Sequence, residues 1–272
     1  MQMKILIKNK DINKALKNVS NLGFVPTMGS LHKGHEYLIK QSTNKCNQTL
    51  VSIFINPTQF NNKKDYLSYP KNLKKDLNIL KKLKVNFVYI PNKKDIYSFK
   101  RKKRIVLKKE NKILCAKFRE GHFEGVIDVM DRLTNIIKPN KIFMGEKDYQ
   151  QLHLVKKFIE KKNKTKIISC KTIRNKNRLA LSSRNQLLNT RDLIKAGKIA
   201  KELFQFKKFL RNKKKTKYLL QKKRIFLKKK FGIKIDYLDI RKKNSLKPSL
   251  KIENSKIFIA YFINNVRLID NF

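Results

Sequence analysis

The stretch Val25-Pro26-Thr27-Met28-Gly29-Ser30-Leu31-His32-Lys33-Gly34-His35 decides how the rest of this chain is read. Residues 22–25 form a short apolar run of the kind a buried strand needs, and residues 26–30 read as a loop. A helix then opens over 35–40, with Tyr37, Leu38 and Ile39 as its apolar face. The first turn of a helix carries unpaired N–H groups and the positive end of the dipole, so it suits an anion. His32 and His35 stand three residues apart and project to neighbouring positions, where both can face one phosphate group. Gly29 and Gly34 leave room for a ligand to approach the backbone. Two of the four histidines and two of the eight glycines fall in this one turn, which favours a nucleotide phosphate site over a chance pair of surface histidines.

On either side of this turn, strand-like and helix-like segments alternate. Residues 49–55 are almost continuously apolar, as in a buried parallel strand, and Asn56-Pro57 ends them. Residues 11–19 carry a weak helical pattern and residues 73–83 a stronger one, followed by a strand over 85–90 and a short one over 105–107. Phe123, Val126, Ile127, Met130, Leu133 and Ile137 make a helical stripe that Pro139 ends. A strand over 142–144 and a helix over 149–159 follow. This alternation predicts an α/β fold with a parallel sheet. After residue 183 the texture changes to a long lysine-rich helical stretch (191–230) and two strands (235–240 and 257–263), the pattern of a small α+β unit.

The 272 residues suit two domains, and 40% hydrophobic content supplies a real core. No apolar run is long enough to span a bilayer, and Ile5-Leu6-Ile7 is too short for a signal-peptide core. Cys46, Cys115 and Cys170 are odd in number, far apart and without metal-ligand spacing, as expected of reduced thiols in a cytoplasm. The formal charge of +49 invites a nucleic-acid reading, but the lysines run from Lys4 to Lys256 amid abundant asparagine and isoleucine. That bias resembles the coding drift of an AT-rich genome, so no specific nucleic-acid partner and no membrane partner are expected, only weak, salt-sensitive attraction to polyanions. The runs Lys213-Lys214-Lys215 and Lys228-Lys229-Lys230 read as solvated helix faces, with a basic lid as the other reading.

Further polar residues stand where ligands collect in open α/β sheets, just beyond the carboxyl ends of strands. Asn56 and Gln59 follow one strand; Gly145-Glu146-Lys147-Asp148 follows another, with Lys147 placed to hold a phosphate oxygen and Gln151 one turn on. Arg119-Glu120-Gly121-His122 opens the striped helix, and Leu181-Ser182-Ser183-Arg184 offers hydroxyls and a guanidinium that could clamp a triphosphate or merely cap a helix. His153 reads as structural. The sequence contains no GxxxxGK[ST], GxGxxG or CxxC, so P-loop, dinucleotide and zinc readings lack support.

Taken in order, several segments resemble the pantoate–β-alanine ligase family of the HxGH nucleotidyltransferase superfamily. They are residues 25–35, Ser52-Ile53-Phe54-Ile55-Asn56-Pro57-Thr58-Gln59-Phe60, Tyr69-Pro70, Gly121-His122-Phe123-Glu124-Gly125-Val126, residues 143–151, Leu179-Ala180-Leu181-Ser182-Ser183-Arg184-Asn185 and Arg267-Leu268-Ile269-Asp270-Asn271. The resemblance implies a Rossmann-like nucleotide-binding domain over 1–175 and a smaller α+β lid over 176–272. It also implies ATP-dependent joining of pantoate to β-alanine through a pantoyl-adenylate, releasing AMP and diphosphate. By resemblance His35, His32 and Lys147 are catalytic, with His35 the usual proton donor. Met28, Gly29, Ser30, Leu31, Lys33, Gly34, Gly145, Glu146, Asp148, Ile173, Leu181, Ser182, Ser183 and Arg184 frame ATP. Gln59, Gln151 and Asn56 face pantoate and β-alanine, Mg2+ rides on the phosphates with Asp76 as a candidate ligand, and the assembly is a homodimer. The sequence departs from the family at Asn177-Arg178, where Asp-Gly is usual, and at Glu120, where proline is common. Two rivals remain at this point, another HxGH nucleotidyltransferase and a non-catalytic basic nucleic-acid binder.

Overall fold

The structure is a computed structural model that describes residues 2–61, 63–99, 103–213 and 216–272. Lys214 and Lys215 of the first lysine run lie outside the described residues. The N-terminal part contains strands β1 (Lys4–Leu6), β2 (Leu22–Thr27), β3 (Gln48–Ile53), β4 (Phe87–Tyr89), β5 (Lys141–Gly145) and β6 (Lys166–Cys170). Between them run helices α1 (Asn9–Leu16), α2 (Lys33–Lys45), α3 (Lys63–Leu67), α4 (Leu73–Lys82), α5 (Lys93–Ile96), α6 (Cys115–Phe118), α7 (His122–Ile137) and α8 (Tyr149–Lys162). The C-terminal part contains α9 (Thr190–Phe209), α10 (Thr216–Phe231), β7 (Lys234–Lys242), β8 (Ser255–Ile263) and β9 (Val266–Asn271).

The first six strands form one sheet in the order β1-β4-β3-β2-β5-β6, with every pair parallel. Alternate side chains serve its two faces, as the period of a strand requires. Phe24, Leu50, Tyr89 and Ile142 pack with Val126, Met130 and Leu133 of α7 on one face. Val25, Val51, Val88 and Phe143 pack with Ile39 of α2 and Leu80 of α4 on the other. A sheet buried on both faces explains the near-continuous apolar runs in its strands.

From β2 the chain steps outward to β3 and β4, then returns to the opposite side of β2 for β5 and β6. The order therefore reverses between β2 and β5, and ligands in open α/β sheets bind in the crevice at such a reversal. β2 and β5 pair only at Gly23–Lys141 and Phe24–Ile142, so their carboxyl ends part. Pro26 lies in the part of β2 that β5 no longer accompanies, where its missing N–H breaks no ladder bond with β5.

Strands β7, β8 and β9 form an antiparallel sheet in that order. One face packs Ile257 and Ile259 against Ile199, Leu203 and Leu227 of α9 and α10. From the other face Tyr237, Phe258 and Ala260 join the core beneath α7 and α8, so the two parts share buried surface. Arg174, in the crossing between them, forks onto Asp270 of β9 at 2.7 and 2.8 Å and packs over both rings of the edge-on pair Phe204 and Phe272.

Several sequence expectations need correction. Residues 105–107 form no strand: Val106 is exposed, and the Leu107 N–H donates to the Glu124 side chain instead of to a neighbouring strand. Helix α2 begins at Lys33, two residues before the expected start, because His32 caps it. The lysine-rich stretch divides into two helices, α9 and α10. Strands β1, β6 and β9 have no counterpart in the sequence pattern: β1 has only three residues, and β6 and β9 have no uninterrupted apolar run.

The Arg174–Asp270 pair is nearly dry, with the Asp270 side chain only 6% exposed. Removing one partner strands a buried charge, so Asp270→Ala is expected to cost about 3–5 kcal/mol. Urea denaturation should show a lower midpoint with an unchanged slope.

Candidate active site

β2 ends at Thr27, and the turn that follows delivers His32 as the N-cap of α2. The Gly34 N–H donates to His32 Nδ1 at 3.0 Å, and the His32 N–H donates to His35 Nδ1 at 3.3 Å. A neutral imidazole carries one proton, so these two contacts leave Nε2 as the proton-bearing nitrogen of each ring. The ring centroids lie 4.1 Å apart. Burial, then the neighbouring Lys147 ammonium, pushes His32 down to about 4; burial, then His32 and Lys147, holds His35 well below the ordinary histidine value. Both rings are therefore neutral at pH 7 and act as N–H donors.

Across the crevice, β5 ends at Gly145 and a short turn (Glu146–Asp148) sets Lys147 beside the histidines. The side chain of Asn271 donates to the carbonyls of Glu146 and Lys147 at 2.7 and 3.0 Å, which ties this turn to the last strand. From the C-terminal side, Ser183 Oγ donates to the Ser30 carbonyl at 3.1 Å, and the single nitrogen Nη2 of Arg184 donates to both carboxylate oxygens of Asp65, at 2.7 and 3.0 Å. These segments enclose a cavity of about 790 Å³, large enough for a nucleotide and a small second ligand. The side-chain amides of Gln59 and Gln151 line it and have no hydrogen-bond partner among the described residues.

Comparison with known proteins fits this geometry. The profile of the family described as pantoate-beta-alanine ligase matches residues 4–272. The chain belongs to the pantoate–β-alanine ligase family. It is 37% identical to the pantothenate synthetase of Pseudothermotoga lettingae over 98% of each chain. It is 40% identical to the pantothenate synthetase of Francisella tularensis subsp. novicida, over 96% of this chain and 92% of that one. The crystal structure of the Thermus thermophilus pantothenate synthetase superposes with a TM-score of 0.92 at 28% identity, covering 99% of both chains. The Francisella tularensis ligase, solved with β-γ ATP and β-alanine, superposes with a TM-score of 0.83 at 38% identity, covering 100% of this chain and 97% of that one. Both rivals left open by the sequence are thereby disfavoured.

Within this ligase fold, the cavity gathers Met28, His32, Gly34, His35, Gln59, Gly145, Lys147, Asp148, Gln151, Ile173, Leu181, Ser182, Ser183 and Arg184. Gly29, Ser30, Leu31, Lys33 and Glu146 are not on its wall. Glu146 turns away to Lys256 and Ser169. Asn56 is not on the wall either, contrary to expectation. It is fully buried, accepts from the Thr58 N–H and the Tyr97 hydroxyl, and donates to Thr58 Oγ1, so it closes the strand-end turn. Asp76 is engaged with backbone as well: its two oxygens accept from the N–H groups of Ser30 and Leu31.

Sequence reasoning left Arg119, Tyr69 and Asp65 out of the site, yet all three line the cavity. Arg119 donates to the Gln59 carbonyl and contacts His122 Nε2, while His122 Nδ1 reaches the same carbonyl at 2.7 Å. Residues 119–122 carry an arginine and a histidine at a helix start, but only the fold shows that they back Gln59. At the departure Asn177-Arg178, Arg178 adopts φ +66°, the left-handed backbone that a glycine takes freely. The turn survives because the Arg178 N–H donates to the Asn175 carbonyl and the Arg178 carbonyl accepts from Arg174.

The depressed histidines give the site a pH signature. The unfolded chain protonates these rings near 6.5, whereas folded His32 resists until about 4. The unfolded state therefore binds more protons in this window, and stability falls as pH is lowered through it. His32 alone should remove about 2 kcal/mol of stability between pH 7 and 5. Histidine NMR titration should show the His32 and His35 resonances unmoved from pH 8 to 5.5. Titration of either ring near 6.5 would contradict the geometry.

Proposed function

We propose that this cavity condenses pantoate with β-alanine in two steps, with ATP as the activating substrate. In the first, a carboxylate oxygen of pantoate attacks the α-phosphorus of ATP; the bond to the bridging oxygen breaks, diphosphate leaves and pantoyl-adenylate forms. In the second, the β-alanine amine attacks the acyl carbon, AMP leaves with the carboxyl oxygen, the amine releases its proton, and the amide of pantothenate remains. The observation that carries this reading is the pair of neutral, adjacent imidazoles, each with its Nδ1 occupied by a backbone N–H.

Negative charge builds on the α-phosphate and the leaving diphosphate in the first step, and fixed donors aimed at that charge stabilise it most. The Nε2–H groups of His32 and His35 supply two such donors without carrying net charge, so at neutral pH His35 assists the leaving oxygen by hydrogen bonding. Lys147 adds a point charge. Arg184 exchanges its Asp65 partner for phosphate oxygens, and the Ser182 and Ser183 hydroxyls complete the triphosphate clamp. Gln59 and Gln151, with amides free to donate and accept, hold pantoate. Residues 176–272 act as the lid over residues 1–175, excluding water from the reactive adenylate.

Among the described residues, no group of three or more His, Cys, Asp or Glu could hold a metal ion. Magnesium, which keeps several waters and binds through phosphates and one or two carboxylates, therefore enters with ATP and neutralises phosphate charge there. Of the carboxylates, Asp148 lines the cavity with its side chain 46% exposed and is better placed than Asp76. Cytoplasmic location and homodimeric assembly belong to the same proposal. All three cysteines are free and buried, which supports a reducing compartment.

His35→Ala should remove about 2.7–4 kcal/mol of transition-state stabilisation, a loss of roughly 100- to 1,000-fold in adenylate formation, with the fold retained. Pyrophosphate release with pantoate and ATP measures this step; an unchanged rate in folded protein would remove His35 from the mechanism. Gln151→Ala should raise KM for pantoate far more than KM for ATP, because the deletion leaves substrate hydroxyls unpaired in a buried site. The reverse order in the same assay would reassign Gln151.

A further inference from the structure

Gly29 and Ser30 both adopt left-handed backbone, with φ of +78° and +52°. Glycine takes this conformation freely, whereas serine does so at a cost of about 1 kcal/mol, so something outside the turn must hold it. Successive N–H groups on such a backbone converge on a small anion-binding concavity. Here the concavity is already filled. Asp76 Oδ2 accepts from the Ser30 N–H at 2.8 Å and Asp76 Oδ1 from the Leu31 N–H at 2.7 Å.

Three further features fix that carboxylate. It is only 2% exposed and sits in the first turn of α4, capped by Asn72, where the helix dipole favours an anion. An added Cβ on Gly29 would lie 3.0 Å from Asp76 Oδ2, so no side chain at that position leaves the contact undisturbed. The next residue after the braced pair is His32, the cap that orients both imidazoles. A carboxylate whose two oxygens both face backbone amides is poorly placed to give a lone pair to an octahedral cation.

We propose that Asp76 is a positioning residue of this site: it braces the left-handed turn that aims His32 and His35 at the phosphates, and it does not ligate magnesium. The turn's own N–H groups at Ser30 and Leu31 are spent on the brace, so ATP is met by the imidazoles and the α2 terminus instead. The inference rests on ATP being the ligand of this loop.

Two kinds of measurement test it. In the ligand-free wild-type protein, hydrogen exchange read by NMR should show the Ser30 and Leu31 amides strongly protected; fast exchange at both would overturn the brace whatever any variant does. Asp76→Asn keeps the size of the side chain but offers one acceptor and one donor to two N–H donors. Its Kd for ATP measured in EDTA should rise about 10-fold or more. The magnesium concentration giving half-maximal rate at saturating ATP should stay within about twofold of wild type. Reaction of supplied pantoyl-adenylate with β-alanine, which needs no triphosphate, should keep its rate within about threefold, whereas general damage to the fold would depress it as well. Unchanged metal-free ATP affinity, or a raised magnesium requirement, would overturn the proposal. Asp76→Ser, with room for a bridging water, stands in if the asparagine variant does not fold, and the wild-type exchange result decides alone if neither does. Failure of wild-type protein to bind ATP would count against the function proposed above and not against the brace.

Discussion

Two parallel strands that begin paired and then separate govern the rest of this structure. β2 and β5 share only two residue pairs before their carboxyl ends diverge, and the crevice so opened lets two loops from the sheet face each other across a ligand. One loop carries His32 and His35, the other Lys147. The apolar packing of alternate residues onto α7 on one side and onto α2 and α4 on the other holds the strands rigid up to that point. Pro26 fits only because the strands have already parted.

The electrostatics of the crevice differ from those of the surface. A chain of formal charge +49 would be expected to present cations to a phosphate, yet the innermost donors are two imidazoles kept neutral by burial and by the adjacent lysine. Under the proposed reaction, fixed neutral donors of this kind, in one cavity with Lys147 and Arg184, would give directional stabilisation that a diffuse lysine surface cannot. The surface charge acts over distances that salt screens, whereas the hydrogen bonds of the crevice are local.

The C-terminal sheet is joined to the crevice by side chains at its last strand. Asn271 holds the carbonyls of the Lys147 turn and Asp270 holds Arg174 in the crossing segment; outside the sheet, Ser183 in the turn before α9 holds the carbonyl of Ser30. The tail 267–271, which looks like an ordinary strand end in sequence, thus contacts both the crossing and the turn that carries Lys147.

Local sequence suffices for the α/β class, the parallel sheet, the histidine turn and the strand-end polar segments. Those features depend on local periodicity, on helix-start chemistry and on residue types that recur at strand ends. It does not reveal the short or interrupted strands β1, β6 and β9, because three to six residues of mixed polarity carry no periodic signal without their neighbours. Nor does it separate polar residues that face the cavity from those that face the backbone. Gln59 and Asn56 stand three residues apart after one strand, yet one lines the cavity and the other closes the turn against Thr58 and Tyr97. Asp76 and Arg119 are divided in the same way, one beneath the histidine turn and the other behind Gln59. Which way a polar side chain turns is decided by partners far along the chain, and only the packed tertiary structure brings those partners within hydrogen-bonding reach.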